Sequence, residues 1–494
     1  MEETLGSPSL SVVFLMDAWK RHNDRIQVHF DRLASQYLTL KWRNRYYNHY
    51  LTQWCRSLVP PGRRVLDVGC GRGDVLAALR PKAGLGIDLS SEMVRRAVDD
   101  YPKLDFRQCA IEEFQGTGNH DAVLCVNTLE YTWDVGMVLD RIHAALRDNG
   151  RVLFTTGNPV WWPIFHLASF LGLRIPECKR LFLTSRDLRN MLQLHGFEVV
   201  YERMALPIPK AIPFLSGFLN WLVPRIPLFN LLCSMQLIAA RKVPSGRREY
   251  SVSIVVPCHN EAENVERCAR ETRRLGTRTE LVFVDDGSID GTAHAIRPEL
   301  NSEIEVKVVS YSPNRGKGYA VKTGFDAATG DILMVLDADL TTHPSELGPL
   351  YEAFATGRVE FVNCTRFVYP QEDQAMRFLN YLGNKTFSIL VSLVMEARVS
   401  DTLCGTKAMF RWDYEHMTMG RDHWGDYDLL FGAAQQRLVI CELPVHYRER
   451  TAGASKMKTA RHTLNLFRMC WKGFWQVQAL RPLPEKTDAA EIVP

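Results

Sequence analysis

Val65-Leu66-Asp67-Val68-Gly69-Cys70-Gly71-Arg72-Gly73-Asp74 is an apolar run that breaks into three alternate glycines, and Val75-Leu76-Ala77-Ala78-Leu79 then takes up a helical pattern. A strand, a glycine turn and a helix in that order are the opening of a βα series, so the chain reads as α/β from this point outward. Glycine lets the backbone turn sharply and come close to a ligand. The helix that follows offers free N–H groups and a partial positive charge to a carboxylate or phosphate. Gly84-Leu85-Gly86-Ile87-Asp88-Leu89-Ser90 supplies a second strand. It ends in an acid about 20 residues beyond the loop, placed to accept both hydroxyls of a ribose. Asp121 to Val126 and Gly150 to Thr156 supply two more strands. Glu130, Tyr131 and Asn158 follow strands at the C-terminal edge of the sheet, where ligands bind in such folds. Each is equally open to being a loop polar group with no chemical role.

This order resembles the class I S-adenosylmethionine (SAM) methyltransferases over the first half of the chain, and VLDVGCGRG is close to that family's first motif. The resemblance implies a Rossmann-like domain in which Asp67, Gly69, Gly71 and Gly73 surround the methionine part of SAM and Asp88 holds the ribose. The third motif departs from the family. Ala110 stands where an Asp usually contacts adenine, within Cys109-Ala110-Ile111-Glu112, so that contact falls to backbone groups or to Glu112. Methyl transfer is a single displacement that positioning alone can accelerate, so no general base is required. Ahead of the first strand, Trp19 to Arg56 has rough helical spacing and is expected to form one or two helices capping the site.

A second βα series opens at Val252-Ser253-Ile254-Val255-Val256. Four motifs follow strands in it: Pro257-Cys258-His259-Asn260-Glu261, Asp285-Asp286-Gly287-Ser288, Asn314-Arg315-Gly316-Lys317-Gly318, and Asp337-Ala338-Asp339. Carboxylates two apart at a strand end can face one ion, and their hard oxygens suit Mg²⁺ or Mn²⁺ shared with a diphosphate. Such an ion offsets the charge that grows on a departing nucleotide. Arg315 and Lys317 put cations beside flexible backbone, which suits phosphates. A lone DAD is common by chance; four such motifs in this order are not.

Together these motifs resemble family 2 glycosyltransferases of the GT-A fold over roughly Tyr250 to Trp475. The resemblance implies a nucleotide-sugar donor, with Pro257, Glu261 and Asp285 or Asp286 at the nucleoside. It implies a metal on Asp337 and Asp339, with Asp339 favoured as the direct ligand. Ser400-Asp401-Thr402-Leu403-Cys404-Gly405-Thr406-Lys407-Ala408-Met409-Phe410 resembles the SD-x-x-CG-x-K-x-F block of the polyprenyl-phosphate sugar transferases, which include the dolichyl-phosphate mannose and glucose synthases, with one extra residue before the Phe. Glu442-Leu443-Pro444-Val445 and the stretch Arg450 to Lys456 resemble that group's EVPV and R-x-x-G-x-SK. By the same resemblance Asp401, Lys407, Arg450, Ser455 and Lys456 serve the acceptor or diphosphate. Gly425-Asp426-Tyr427-Asp428 stands where the group reads FD-x-E. Asp426 or Asp428 is a base if the acceptor is a hydroxyl; with an anionic phosphate acceptor no base is needed and they orient cations instead.

The bulk numbers fit two enzymes in one chain. A length of 494 residues exceeds one ordinary core. Sixty Lys and Arg against 56 Asp and Glu, a net charge of +4, is too balanced for a nucleic-acid binder. The 12 cysteines form no CxxC pair, which argues against structural zinc and fits a reducing, cytoplasmic setting. No signal peptide or membrane span is expected. Trp161 to Leu171, Phe214 to Leu232, Met376 to Val394 and Arg461 to Trp475 are apolar or amphipathic, and either touch the cytoplasmic membrane face or pack between domains. The expected organisation is a methyltransferase domain over 1–240, a linker over 241–250 that opens with Arg241-Lys242, a glycosyltransferase domain over 251–480 and a flexible tail over 481–494. The expected function is sugar transfer with inversion to a polyprenyl phosphate together with SAM-dependent methylation. The alternative is a transferase acting on a sugar or lipid hydroxyl, with the methyltransferase-like domain as a scaffold.

Overall fold

The computed structural model describes residues 10–171, 181, 183–226, 228–369, 378–420, 425–448, 459–478 and 482–483. The chain divides into two units, Met1–Val243 and Pro244–Pro494.

The N-terminal unit begins with three helices, α1 (Leu10–Ala34), α2 (Tyr37–Arg43) and α3 (Arg45–Leu58), where the sequence suggests one or two. Strands β1 (Arg64–Val68), β2 (Ala83–Asp88), β3 (Asp105–Gln108), β4 (His120–Val126), β5 (Leu146–Gly157), β6 (Phe197–Ala205) and β7 (Met235–Lys242) form one sheet in the order β3-β2-β1-β4-β5-β7-β6. Helices α4 (Asp74–Ala78), α5 (Ser91–Asp100), α6 (Val135–Ala145), α7 (Trp162–Phe170), α8 (Ser185–Leu194) and α9 (Leu215–Leu222) connect them. Helix starts follow their capping residues. Ser90 accepts the Met93 N–H, Asp134 accepts the Met137 N–H, and Thr184 with Asp187 closes a reciprocal box. Leu66, Val123, Val152 and Ile238 are wholly or almost wholly buried across the central strands. The strand order reverses between β1 and β4, so the chain leaves a crevice there, beyond the strands' C-terminal ends.

The C-terminal unit is built on β8 (Val252–Cys258), β9 (Thr279–Asp286), β10 (Glu305–Tyr311), β11 (Ile332–Val335), β12 (Phe361–Thr365), β13 (Lys407–Phe410) and β14 (Ile440–Pro444), in the order β10-β9-β8-β11-β13-β12-β14. Its helices are α10 (Ala262–Glu271), α11 (Thr292–Ala295), α12 (Lys317–Ala327), α13 (Leu347–Ala355), α14 (Phe378–Met395), α15 (Arg411–Tyr414), α16 (Asp426–Gln435) and α17 (Thr459–Gln478). The strands are apolar without alternation because both faces are covered. Ile254, Val256, Leu281 and Phe283 enter one core cluster, while Val255, Val282 and Val284, one residue out of phase, enter the other.

Two expectations change. The βα pattern implies parallel sheets, but both sheets are mixed: β7 runs antiparallel between β5 and β6, and β13 runs antiparallel between β11 and β12. Arg241 and Lys242, read from the sequence as the start of a linker, are the last residues of β7. Arg241 is buried and pairs with Glu198 at 2.5 Å, and Lys242 donates to the His143 and Leu146 carbonyls. Further on, Arg247 pairs with Glu352 at 2.9 Å and the Arg248 N–H donates to the Ala355 carbonyl, so this stretch packs onto the C-terminal unit. Among the described residues no helix is long and apolar enough to cross a membrane.

Candidate active sites

In the N-terminal unit the glycine loop and the acid that follows it are bonded to each other. Gly69, Gly71 and Gly73 all take positive φ. The Gly71 N–H donates to Asp88 Oδ2 at 2.8 Å, and the Ser90 N–H donates to Asp88 Oδ1 at 2.8 Å. Each carboxylate oxygen thus uses one lone pair on backbone and keeps another for a ligand hydroxyl. A Cβ on Gly69 would lie 2.2 Å from Thr128 Oγ1, so the loop fits there only without a side chain. Asp67, Gly69, Gly71, Asp88, Ala110 and Glu112 line one cavity of ≈ 980 Å³. Burial, reinforced by Asp88 and Asp74, pushes the Asp67 carboxyl up to about 7. Burial also raises Asp88, against the pull of its backbone donors.

Gly73 is the exception among the predicted cofactor residues. It lies outside the cavity lining, at the start of α4, where a Cβ would meet Phe106 at 2.5 Å, so its task is helix packing. Glu112 lines the cavity, and its carboxylate accepts the Trp133 N–H at 3.1 Å. Glu130 also lines it and accepts the Gly157 N–H at 2.5 Å. Asn158 is outside it. Its side chain accepts from Val160 and donates to the Leu231 and Cys233 carbonyls, which makes it a brace between loops. Residues of the N-terminal helices, missed at the level of motifs, complete the walls. Tyr37, Lys41 and Tyr47 line the cavity, and the Tyr47 hydroxyl donates to Asn127 Oδ1 at 3.0 Å. Asn127 directly follows β4, and that position was the signal available in the sequence. A glycine turn, a backbone-held acid and a walled cavity fit SAM, and Asp67 and Asp88 are among the residues that would hold it.

In the C-terminal unit carboxylates meet cations. Lys317, at the start of α12, pairs with Asp337 at 2.6 Å. Burial opposes ionisation of Asp337, but Lys317, then Lys407 and Arg366, outweigh it and hold the carboxyl below its ordinary range. Burial opposes the charge on Lys317 too, and Asp337, Asp426 and Asp339 outweigh it and raise the ammonium. A Cβ on Gly405 would stand 2.2 Å from Asp337 Oδ2, so only glycine lets the loop before β13 approach. Asp339 accepts the Thr341 N–H at 3.2 Å and the Thr341 hydroxyl at 2.8 Å. The acids nearer the nucleoside end shape loops. Asp286 accepts the Arg315 and Gly316 N–H groups at 2.6 and 2.9 Å, Asp285 accepts the Ser288 N–H at 3.1 Å, and Glu261 accepts from Asn264 at 2.7 Å. Pro257 sits near the end of β8 beside them.

The predicted acceptor residues divide. Lys407 is fully buried; its ammonium donates to the Cys404 carbonyl and pairs with Asp426 at 3.0 Å. Asp401 is fully buried and grips Arg366 through Nε at 2.7 Å and Nη2 at 2.8 Å. Both therefore position neighbouring groups. Arg366, which the motifs did not single out, is the cation that Asp401 presents; its guanidinium lies 5.0 Å over the Tyr447 ring. Asp428 accepts the Gly420 N–H at 2.8 Å. Arg450, Ser455 and Lys456 lie outside the described residues. Among the described residues no three His, Cys, Asp or Glu side chains group so as to hold an ion unaided. The Asp337 and Asp339 pair still fits Mg²⁺ or Mn²⁺, because such ions commonly take one or two carboxylates and fill the shell with phosphate and water.

Comparison with known proteins divides the chain at the same place. Residues 41–202 match the family model described as a methyltransferase domain, and residues 253–415 match that of glycosyl transferase family 2. Among solved structures, a chain of the complex between the Trm112 methyltransferase activator of Haloferax volcanii and a methyltransferase is 20% identical, over 43% of this chain and 97% of that one, with a TM-score of 0.34. A SAM-dependent methyltransferase of Thermotoga maritima is 15% identical over 44% and 99%, with a TM-score of 0.34. One from Mesorhizobium loti is 20% identical over 37% and 92%, with a TM-score of 0.30.

Proposed function

We infer that a chain carrying a methyltransferase domain ahead of a family 2 glycosyltransferase domain catalyses two group transfers. The C-terminal unit moves a sugar from a nucleotide-sugar to a polyprenyl phosphate with inversion, and the N-terminal unit moves a methyl group from SAM. The observation that carries the choice of acceptor is the buried Asp426–Lys407 pair. An acid already committed to a lysine is poorly placed to take a proton from a hydroxyl, and a phosphate oxygen needs no base. That oxygen forms a bond to the anomeric carbon as the bond to the nucleoside diphosphate breaks, and the diphosphate leaves with the electron pair. A divalent ion on Asp337 and Asp339 would offset the charge gathering on the leaving group. Lys317 and Arg366 hold positive charge beside the same acids, and Asp401 fixes the direction of Arg366. Work at the cytoplasmic membrane face follows from a lipid acceptor.

A second reading is favoured by the third motif. Ala110 offers no side-chain acceptor and one oxygen of Glu112 already accepts the Trp133 N–H, so the side-chain hold on adenine is reduced to what Glu112 has left. In that case the N-terminal unit is a scaffold and the acceptor a hydroxyl.

Purified full-length protein, polyprenyl phosphate, Mn²⁺ or Mg²⁺ and a panel of radiolabelled nucleotide-sugars decide between them. Organic-extractable label that Asp339→Ala abolishes supports the phosphate acceptor and identifies the donor. Metal-dependent nucleotide release with soluble acceptors alone moves the acceptor to a hydroxyl and makes Asp426 or Asp428 the base. Calorimetry with SAM tests the first domain: micromolar binding sinks the scaffold reading, and no binding supports it.

A further inference from the structure

The cavity of the N-terminal unit is large for its cofactor. Its volume is ≈ 980 Å³, at the top of the range of about 300–1,000 Å³ usual for a site holding one drug-sized ligand. The acids and glycines described above form one part of its wall. Elsewhere Asn44, Asn48, His49 and Lys210 add polar groups, and Ile26, Phe30, Trp161, Ile164, Phe165 and Ala168 form an apolar stretch of wall.

This apolar wall continues outside. Ile164 lines the cavity and is also 52% exposed, so it stands at a rim. On α7 and its C-cap, Ile164, Leu167, Ala168 and Leu171 follow the i, i+3, i+4, i+7 spacing of one helix face. Leu167 and Leu171 are 60% and 58% exposed. The Trp161 indole donates to the Leu232 carbonyl at 2.9 Å, which joins this face to the exposed side chains of Phe229 and Leu232. An apolar strip that starts inside a cavity and runs onto the surface is shaped for a chain longer than the cavity. Among the cations on the wall, Lys210 donates to the Arg43 carbonyl at 2.9 Å and to Asn44 Oδ1 at 2.8 Å, and has no carboxylate partner among the described residues. It complements an anion.

We propose that the methyl acceptor is an amphiphile, with an anionic head beside Lys210 and a hydrocarbon chain leaving the cavity over Ile164, Leu167 and Leu171. This rests on the N-terminal unit being a SAM methyltransferase. In the transfer a heteroatom of the head group bonds to the sulfonium methyl carbon. The carbon–sulfur bond breaks with its electron pair staying on sulfur, and the acceptor's proton passes to solvent.

The test is photolabelling of the full-length protein with an alkyl phosphate bearing a diazirine in its tail, followed by peptide mapping. Calorimetry with S-adenosylhomocysteine runs in parallel on each variant. Adducts within residues 157–171 are expected, reduced at least fivefold in Leu167→Glu and in Lys210→Glu, and not competed by inorganic phosphate at equal concentration. S-adenosylhomocysteine affinity is expected to stay within twofold in Leu167→Glu. Adducts confined to residues 244–494, or labelling of 157–171 that neither variant lowers, overturn the proposal. Competition by inorganic phosphate alone overturns it too, since the head would then suffice without the chain. If S-adenosylhomocysteine binds and the tail does not, the channel falls and the cofactor assignment stands. If the tail labels 157–171 and no cofactor binds, the channel stands and the cofactor assignment falls.

Discussion

Both units hold acids at strand ends with backbone N–H groups, but they differ in the charges that surround their buried acids. In the N-terminal unit Asp88 is held by backbone N–H groups, and Asp67 has acids rather than cations as its charged neighbours. In the C-terminal unit Asp337, Asp401 and Asp426 each face a lysine or arginine. Amide donors fix a carboxylate while leaving its charge to the ligand, which suits a cationic sulfonium. Paired cations leave a site near neutrality that can accept a diphosphate.

The contrast is open to attack, most severely at Asp401. Asp401→Ala leaves the Arg366 guanidinium buried without its partner, which costs about 3–5 kcal/mol. Urea unfolding of the full chain should show the C-terminal transition displaced by that amount; a change under ~1 kcal/mol would mean that charge pairing does not hold this site. Asp88→Ala in the other unit orphans two amide donors, at about 1–3 kcal/mol each. The N-terminal transition should shift by about 2–6 kcal/mol in sum, a range that overlaps the Asp401 effect, and SAM affinity should fall at least tenfold.

Asp67 sharpens the comparison through pH. Its folded value of about 7 lies above its ordinary 3.8, so the fold favours the protonated acid. Below 3.8 both states are protonated and nothing changes with pH. Between 3.8 and about 7 the unfolded chain releases a proton that the fold retains, and stability falls by up to ~1.4 kcal/mol per pH unit. Asp67→Asn should flatten this decline between pH 5 and 7 in unfolding of the N-terminal unit. A SAM cation draws the ionised form, so wild-type affinity should rise from pH 6 to 8 and that of Asp67→Asn should not. The smallest effect is expected at Thr341. Thr341→Val removes one hydroxyl from Asp339, worth about 0.5–1.5 kcal/mol, and should raise the Mn²⁺ requirement of sugar transfer a few-fold without altering Tm by more than a degree or two.

Much of this was legible in the residues. Each central strand announces itself as an apolar run ending in glycine or acid, because the chemistry sits where the strand stops. Asp67, Asp88, Lys317 and Asp337 could be named from local pattern alone. What escaped depends on contacts distant in sequence. Tyr47 reaches Asn127 across 80 residues, and Arg366 finds Asp401 across 35. Strands β7 and β13 read like any other short apolar run, since direction within a sheet leaves no mark on composition. Gly73 packs against Phe106, and a glycine needed for packing and one needed beside a ligand look alike in a motif. The burial of Lys407 could not be read locally, because it depends on Asp426, which no local window contains.

Among the described residues both sheets are open, with edges at β3, β6, β10 and β14. An unpaired edge invites a neighbouring molecule to add a strand, the first step towards aggregates. Here β3 is only four residues long and carries Asp105 and Arg107, β6 carries Glu198 and Glu202, and β10 carries Glu305 and Lys307. These charges sit on three of the edge strands, where they disfavour the addition of a further strand.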